Sequence, residues 1–187
     1  SAQNASEGYQ DGHGRMYFYA VADRKLTGVQ LLTEKKSTIA VVDFDNNKGE
    51  DPLNVKIGFS FVSIDNARQN LEAEMLDKTF EQVREEADQT WNNLLGHIQV
   101  EGGTPEQTRM LYSTLYKTFL WPVLRSDVNG EYLDNRHQVV KGDFRYYTDP
   151  SFWDTYRNKL VMLAILSPDV TCDIIKSCID RGEKRGG

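Results

Sequence analysis

The stretch SFWDTYRNKLVMLAILSP, residues 151–168, places Phe152, Trp153, Asp154, Tyr156 and Arg157 ahead of the apolar run Leu160, Met162, Leu163, Ile165 and Leu166. A helix bound for a core has no need of three aromatics, a carboxylate and a guanidinium at its head. Two readings are open. In the structural one, Asp154 sits in a first helical turn and stabilises the helix N-terminus by about 0.3–1 kcal/mol. Trp153 and Tyr156 are then core, and Arg157 pairs with some acid. In the functional one, this end faces a cleft. Aromatic faces cover the C–H surfaces of a sugar, while planar carboxylates and guanidinium groups clamp its vicinal hydroxyls through charge-assisted hydrogen bonds. Trp153, Asp154 and Arg157 suit that task.

Other chemistry finds less support. His13, His97 and His137 have no metal-ligand spacing with one another or with a cysteine. DFDNNKGE (Asp43–Glu50) begins like a calcium loop, but an EF-hand needs Gly at its sixth position and Glu at its twelfth, where this chain has Lys48 and Asn54. It therefore reads as a polar turn. No phosphate-cradling or nucleophile-elbow motif is present. Hydrolysis of a glycosidic bond needs two carboxylates. With 28 acidic residues the chain has no shortage of them, and most, such as Glu85 and Glu86, belong to a solvated helix face.

The elements that would position residues 151–157 follow from periodicity. Residues 15–23, 37–45 and 53–63 read as strands, with 28–34 a weaker one. In the third, Val55, Ile57, Phe59 and Phe61 alternate with Lys56, Gly58 and Ser60, the period of a half-buried strand. Together, 15–63 predicts an antiparallel meander or part of a β-sandwich. Near Asp65 the period changes. Phe80, Val83, Ala87, Trp91 and Leu94 follow helical spacing, Thr79 and Gln82 form a capping box, and Gly96 is a stop. A second helix starts at Thr104, with Pro105 in its first position and Gln107 completing the box. Its stripe is Leu111, Leu115 and Phe119, widened by Tyr112 and Tyr116, and Pro122 ends it. Asn129-Gly130 is a hairpin signal with 138–149 as return strand and loop. Asp149-Pro150 opens a third helix, and Ser167-Pro168 ends it and starts a fourth. That helix turns Val170, Ile174, Ile175, Cys178 and Ile179 inward and stops at Gly182.

Totals set the limits. At 187 residues, 39% hydrophobic and 11% aromatic, the chain is globular. A net charge of −6 repels phosphate backbones, so nucleic acid is excluded as a partner. No apolar run approaches the roughly 18–20 residues that span a bilayer. Cys172 and Cys178, six positions apart on one helix, lie roughly 9 Å apart, too far for a disulfide, so they read as small hydrophobes. Neither the sheet nor the helical half looks complete, and EKRGG follows directly on a helix. The expectation is a fragment.

Three segments in order carry a resemblance: VKIGFSFVSIDNARQNLEAE, TWNNLLGHIQVEGGTPEQTRMLYSTLYKTFLWPVLRSDVNGEY and YYTDPSFWDTYRNKLVMLAILSPD. From about Arg15 to Gly182 the chain resembles glycoside hydrolase family 92, calcium-dependent inverting exo-α-mannosidases, mostly bacterial and exported. The resemblance implies an α+β multidomain fragment: the C-terminal part of a β-sandwich over residues 1–64, linker helices over 65–103, and the first helices of an (α/α)6 barrel over 104–187. It implies a mannose-containing glycan as substrate, a periplasmic or extracellular location, and the remaining part of the same enzyme as partner. Trp153-Asp154 matches the family's sugar-holding pair and Arg157 its following Arg. The catalytic acid, the base and the calcium ligands are implied to lie outside this chain. The motif's common continuation, TLHP, is replaced by Asn158, Lys159, Leu160 and Val161, which leaves the linkage open. Two alternatives stand beside this reading: a non-catalytic carbohydrate-binding or scaffold module, and an α/α-toroid glycosidase of another specificity.

Overall fold

The computed structural model describes residues 2–6, 14–34, 37–45, 49 and 52–185. The turn expected at 46–51, Gly49 apart, and His13 lie outside them. The chain is mixed α and β, with antiparallel strands followed by helices. The strands of the first part are β1 (Ala2–Ser6), β2 (Gly14–Ala22), β3 (Leu26–Glu34), β4 (Ser37–Phe44) and β5 (Val55–Ser60). They do not form the expected meander. β2 lies between β1 and β5, and β3 with β4 makes a separate two-stranded hairpin. Both strands of that hairpin are apolar, yet Val29, Leu31, Leu32 and Ile39 all remain exposed. β1 is not among the strands that periodicity marked, the first of which began at Arg15.

One face of β5 is covered by α1 (Ile64–Glu74). The approach is close enough to require glycine: a Cβ at Gly58 would lie 2.1 Å from the Ala67 carbonyl oxygen and 2.8 Å from Leu71 Cβ. Ala67 and Leu71 are fully buried there. The Ser63 hydroxyl caps the helix by accepting from the Asn66 amide. Beyond its end, the Lys56 ammonium donates to the carbonyls of Leu76 and Lys78 at 2.5 and 2.6 Å and fixes the exit of the chain.

Two helices then match their sequence signatures. α2 (Phe80–Leu95) and α3 (Pro105–Phe119) each begin with a complete capping box, Thr79 with Gln82 and Thr104 with Gln107. They meet where Trp91 and Tyr116 pack ring on ring, 4.5 Å between centroids. Of the α3 stripe, Leu115 alone is buried.

Four short strands follow: β6 (Val123–Leu124), β7 (Glu131–Leu133), β8 (Val139–Lys141) and β9 (Tyr147–Thr148), paired β6 with β9 and β7 with β8. Asn129-Gly130 does turn the chain, but ahead of β7, with Gly130 at φ 84°. The β7–β8 hairpin turns instead at residues 134–138, where His137 is left-handed. The expected single helix over 151–166 is two: α4 (Phe152–Thr155) and α5 (Lys159–Leu166). α6 (Pro168–Arg185) passes through Gly182 without stopping, and Ile175 and Ile179 face outward, with Ile174 the buried one. Both cysteines lie on α6 and are free. Tyr132 and Tyr146 stack at 4.0 Å and anchor the hairpin on α6, where the Tyr132 hydroxyl donates to Asp180. Burial first, and then the Asp180 carboxylate, push that phenol well above its usual range. Among the described residues no helix is long and apolar enough to cross a membrane.

The two halves are joined by Asp127, only 8% exposed. Its carboxylate accepts from the Ser60 hydroxyl at 2.7 Å, the Asn66 amide at 2.8 Å and the Asn70 amide at 2.7 Å. The second Asn66 acceptor is Glu131 at 2.9 Å, and Asn70 in turn accepts from the Val128 backbone at 3.0 Å. β5, α1 and the 127–131 turn thus share one polar network.

Two outcomes test this account. Gly58→Ala forces α1 off the sheet and lowers unfolding stability by about 3 kcal/mol. Asp127→Ala takes one acceptor from each of three buried donors and costs about 3 kcal/mol. Denaturant titration measures both; a midpoint unchanged in either would show the packing to be looser than described.

Candidate functional site

The residues singled out at 153–157 follow the β6–β9 pair, which brings the chain to Asp149. Here the backbone leaves the common regions twice. Asp149 has φ 55° and Ser151 φ 42°, on either side of Pro150. A residue before proline is already biased toward extended conformations, and left-handed non-glycine residues cost on the order of 1–3 kcal/mol each. The surroundings must hold this turn in place.

Thr155 does part of that. It is 3% exposed, and its hydroxyl lies 2.8 Å from the Pro150 carbonyl and 3.0 Å from that of Ser151. The Asp154 and Thr155 amides donate back to Ser151 at 2.9 and 3.1 Å, which starts α4. On the other side, Asp149 accepts from the Thr148 hydroxyl at 3.0 Å and lies 3.8 Å from the Arg125 guanidinium.

The turn points four side chains outward. Trp153 is 88% exposed, and Tyr156, Asp154 and Arg157 are exposed as well. Together they line an open hollow of about 360 Å³. The Asp154 carboxylate accepts from the Ser151 hydroxyl at 2.6 Å, and Arg157 donates through Nε to the Tyr156 hydroxyl at 2.9 Å. Burial pulls the Lys159 ammonium, at the start of α5, below its usual range. Trp153 and Tyr156 are therefore not the core residues of the structural reading. With only four residues in α4, the dipole at its N-terminus is also slight.

All three residues expected at the site, Trp153, Asp154 and Arg157, share this hollow. The sequence reading left out Tyr156, which lines it, and Ser151, which holds Asp154. The signal for Tyr156 was its place in the same five-residue run. Nothing in the sequence distinguishes Ser151 from any other residue ahead of a helix. A carboxylate, a guanidinium and two aromatic faces within one hollow are equipped to bind a polyol. Among the described residues the hollow is lined by a single carboxylate, Asp154, not the pair that glycoside hydrolysis requires. Among the described residues no group of three or more His, Cys, Asp or Glu could hold a metal ion, so no chemical step is assigned to a metal on this chain.

The model for the glycosyl hydrolase family 92 catalytic domain matches residues 66–187. No curated protein matches the chain in sequence. Among solved structures, the chain is similar to a family GH92 alpha-mannosidase from Bacteroides thetaiotaomicron, 26% identical with a TM-score of 0.84, over 92% of this chain and 26% of that one. The same protein in complex with mannoimidazole matches equally well, with the alignment covering 25% of that chain. A family GH92 inverting mannosidase from strain VPI-5482 of that species is 28% identical, with a TM-score of 0.73 over 90% of this chain and 25% of that one. The chain thus spans about a quarter of the length of the structures it matches.

Thr155→Val keeps the shape of the buried side chain but leaves the Pro150 and Ser151 carbonyls short of a donor. We expect a loss of about 1–2 kcal/mol in unfolding stability. A neutral result would mean that the left-handed turn holds itself without Thr155.

Proposed function

Since the chain belongs to glycosyl hydrolase family 92, we propose that it supplies one wall of the sugar pocket in an enzyme that releases terminal α-linked mannose from glycans. The observation that carries this reading is the hollow at Trp153, Asp154, Tyr156 and Arg157, presented on a strained turn within the matched residues 66–187. Trp153 offers a flat apolar face to the sugar ring. Asp154 accepts hydrogen bonds from two of its hydroxyls, and Arg157 donates to a third oxygen.

The reaction inverts the anomeric centre. In that chemistry one carboxylic acid protonates the leaving oxygen while a carboxylate activates water on the opposite face. The hollow's one carboxylate, Asp154, is taken up in holding sugar hydroxyls, and this reading assigns the acid and base to the remaining part of the same enzyme. By the same reading the calcium ligands lie in that remaining part, and a bound calcium would supply Lewis-acid polarisation of the sugar there. The chain's own contribution is to bind and orient the terminal sugar. In this reading residues 1–64 belong to a β-sandwich, 65–103 to linker helices and 104–187 to the opening of an (α/α)6 barrel. The exposed faces of β3 and β4 then pack against further sandwich strands. The enzyme works in the periplasm or outside the cell.

The test uses the full-length protein and an aryl α-mannoside. Mannose release should stop in excess chelator and return with calcium. Asp154→Ala should lower kcat/KM roughly 10- to 100-fold, the loss of a charged hydrogen-bond acceptor, with the unfolding midpoint unchanged. Full turnover in chelator would remove the metal from the mechanism, and an unaltered kcat/KM in Asp154→Ala would remove Asp154 from the pocket.

A further inference from the structure

Arg125 lies outside the hollow, just beyond β6, yet it touches Thr148 and Asp149, which lead into the turn before Trp153 and Asp154. Its guanidinium lies 3.9 Å from the Phe61 ring centroid, and Phe61 immediately follows β5. Its Nε donates to the Thr148 hydroxyl at 3.2 Å, and that hydroxyl passes the contact on to Asp149 at 3.0 Å. Its terminal nitrogen faces the Asp149 carboxylate directly at 3.8 Å. Its backbone amide donates to the Tyr146 carbonyl at 2.8 Å. Asp149 is the first of the two left-handed residues, and Ser151, the second, holds the Asp154 carboxylate at 2.6 Å.

We propose that Arg125 is a positioning residue for the Trp153–Asp154 pair. Stacked on Phe61 and bonded through Thr148 to Asp149, it holds the strained turn so that the sugar-facing side chains are set before substrate arrives. It also ties their position to the sheet half of the chain, because Phe61 belongs to that half. A left-handed Asp149 ahead of Pro150 is held only by outside contacts, and Arg125 provides the charged one. The inference rests on the reading of Asp154 as a sugar ligand.

A double-mutant cycle in the full-length protein tests it, with an aryl α-mannoside as substrate. Arg125→Met should lower kcat/KM on the order of 10- to 100-fold, the scale of a small misplacement of binding groups. In an Asp154→Ala background the same substitution should lower it less than about threefold, because its effect passes through Asp154. Thr148→Val removes the relaying hydroxyl at constant volume and carries the same cycle if Arg125→Met does not fold. Its own loss should be several-fold. A merely structural Arg125 would give equal losses in both backgrounds, and that result, or an undiminished kcat/KM, overturns the proposal while the Asp154 reading survives. If Asp154→Ala alone changes nothing, both fall together.

Discussion

A buried carboxylate whose partners among the described residues are all neutral organises the junction between the two halves of this chain. Asp127 receives three hydrogen bonds, from Ser60 on β5 and from Asn66 and Asn70 on α1. Taking a charge out of water is expensive, and three well-made hydrogen bonds recover that cost only if all three partners are in place. The arrangement is therefore close to all-or-none. If α1 slides or the 127–131 turn opens, a charge or several amides lose their partners inside the fold. This gives the junction one geometry, where an apolar contact of equal area would tolerate several. Gly58 serves the same end, since α1 reaches the sheet only because no Cβ stands between them.

The junction matters for the candidate site because the site is built on its far side. From Asp127 the chain runs through β7 and β8, returns along β9 and delivers Asp149 beside Arg125. The stack of Arg125 on Phe61 adds a second tie to the sheet half, close to Ser60 in sequence. Two contacts, one buried and anionic, one part-exposed and cationic, thus locate the Trp153–Asp154 turn relative to β5. The left-handed residues in that turn are costly by themselves, and such strain persists where the surrounding structure over-determines it. A rigid scaffold with a strained, outward-facing turn is suited to presenting binding groups already in position.

Sequence legibility varied with the physics of each element. α2 and α3 were readable because capping boxes and apolar spacing are local signals, and Thr79, Gln82, Thr104, Pro105 and Gln107 all act as expected. α1 was passed over as a helix of its own because its buried face is half amide: Asn66 and Asn70 beside Ala67 and Leu71. A periodicity search counts those amides as solvent-facing, although here their partner is Asp127, some 60 positions away. The break after α4 was hidden for the opposite reason. Residues 152–166 are uniformly compatible with helix, and no local signal marks the turn at residues 156–158, where Asn158 leaves helical geometry at φ −138° and separates α4 from α5.

By itself the sequence determined the alternation that makes β5, the caps that start α2 and α3, and the cluster of Trp153, Asp154 and Arg157 within five residues. Those features depend on neighbours along the chain, and so are written locally. Tertiary structure alone decided that β2 pairs with β5 across an inserted hairpin, that Asn66 and Asn70 face inward, and that Arg125 stands over Phe61 beside Asp149. Each of these joins groups far apart in sequence. Such pairings are chosen by which buried polar groups and close-packed surfaces can all be satisfied at once, a condition no single stretch of residues contains.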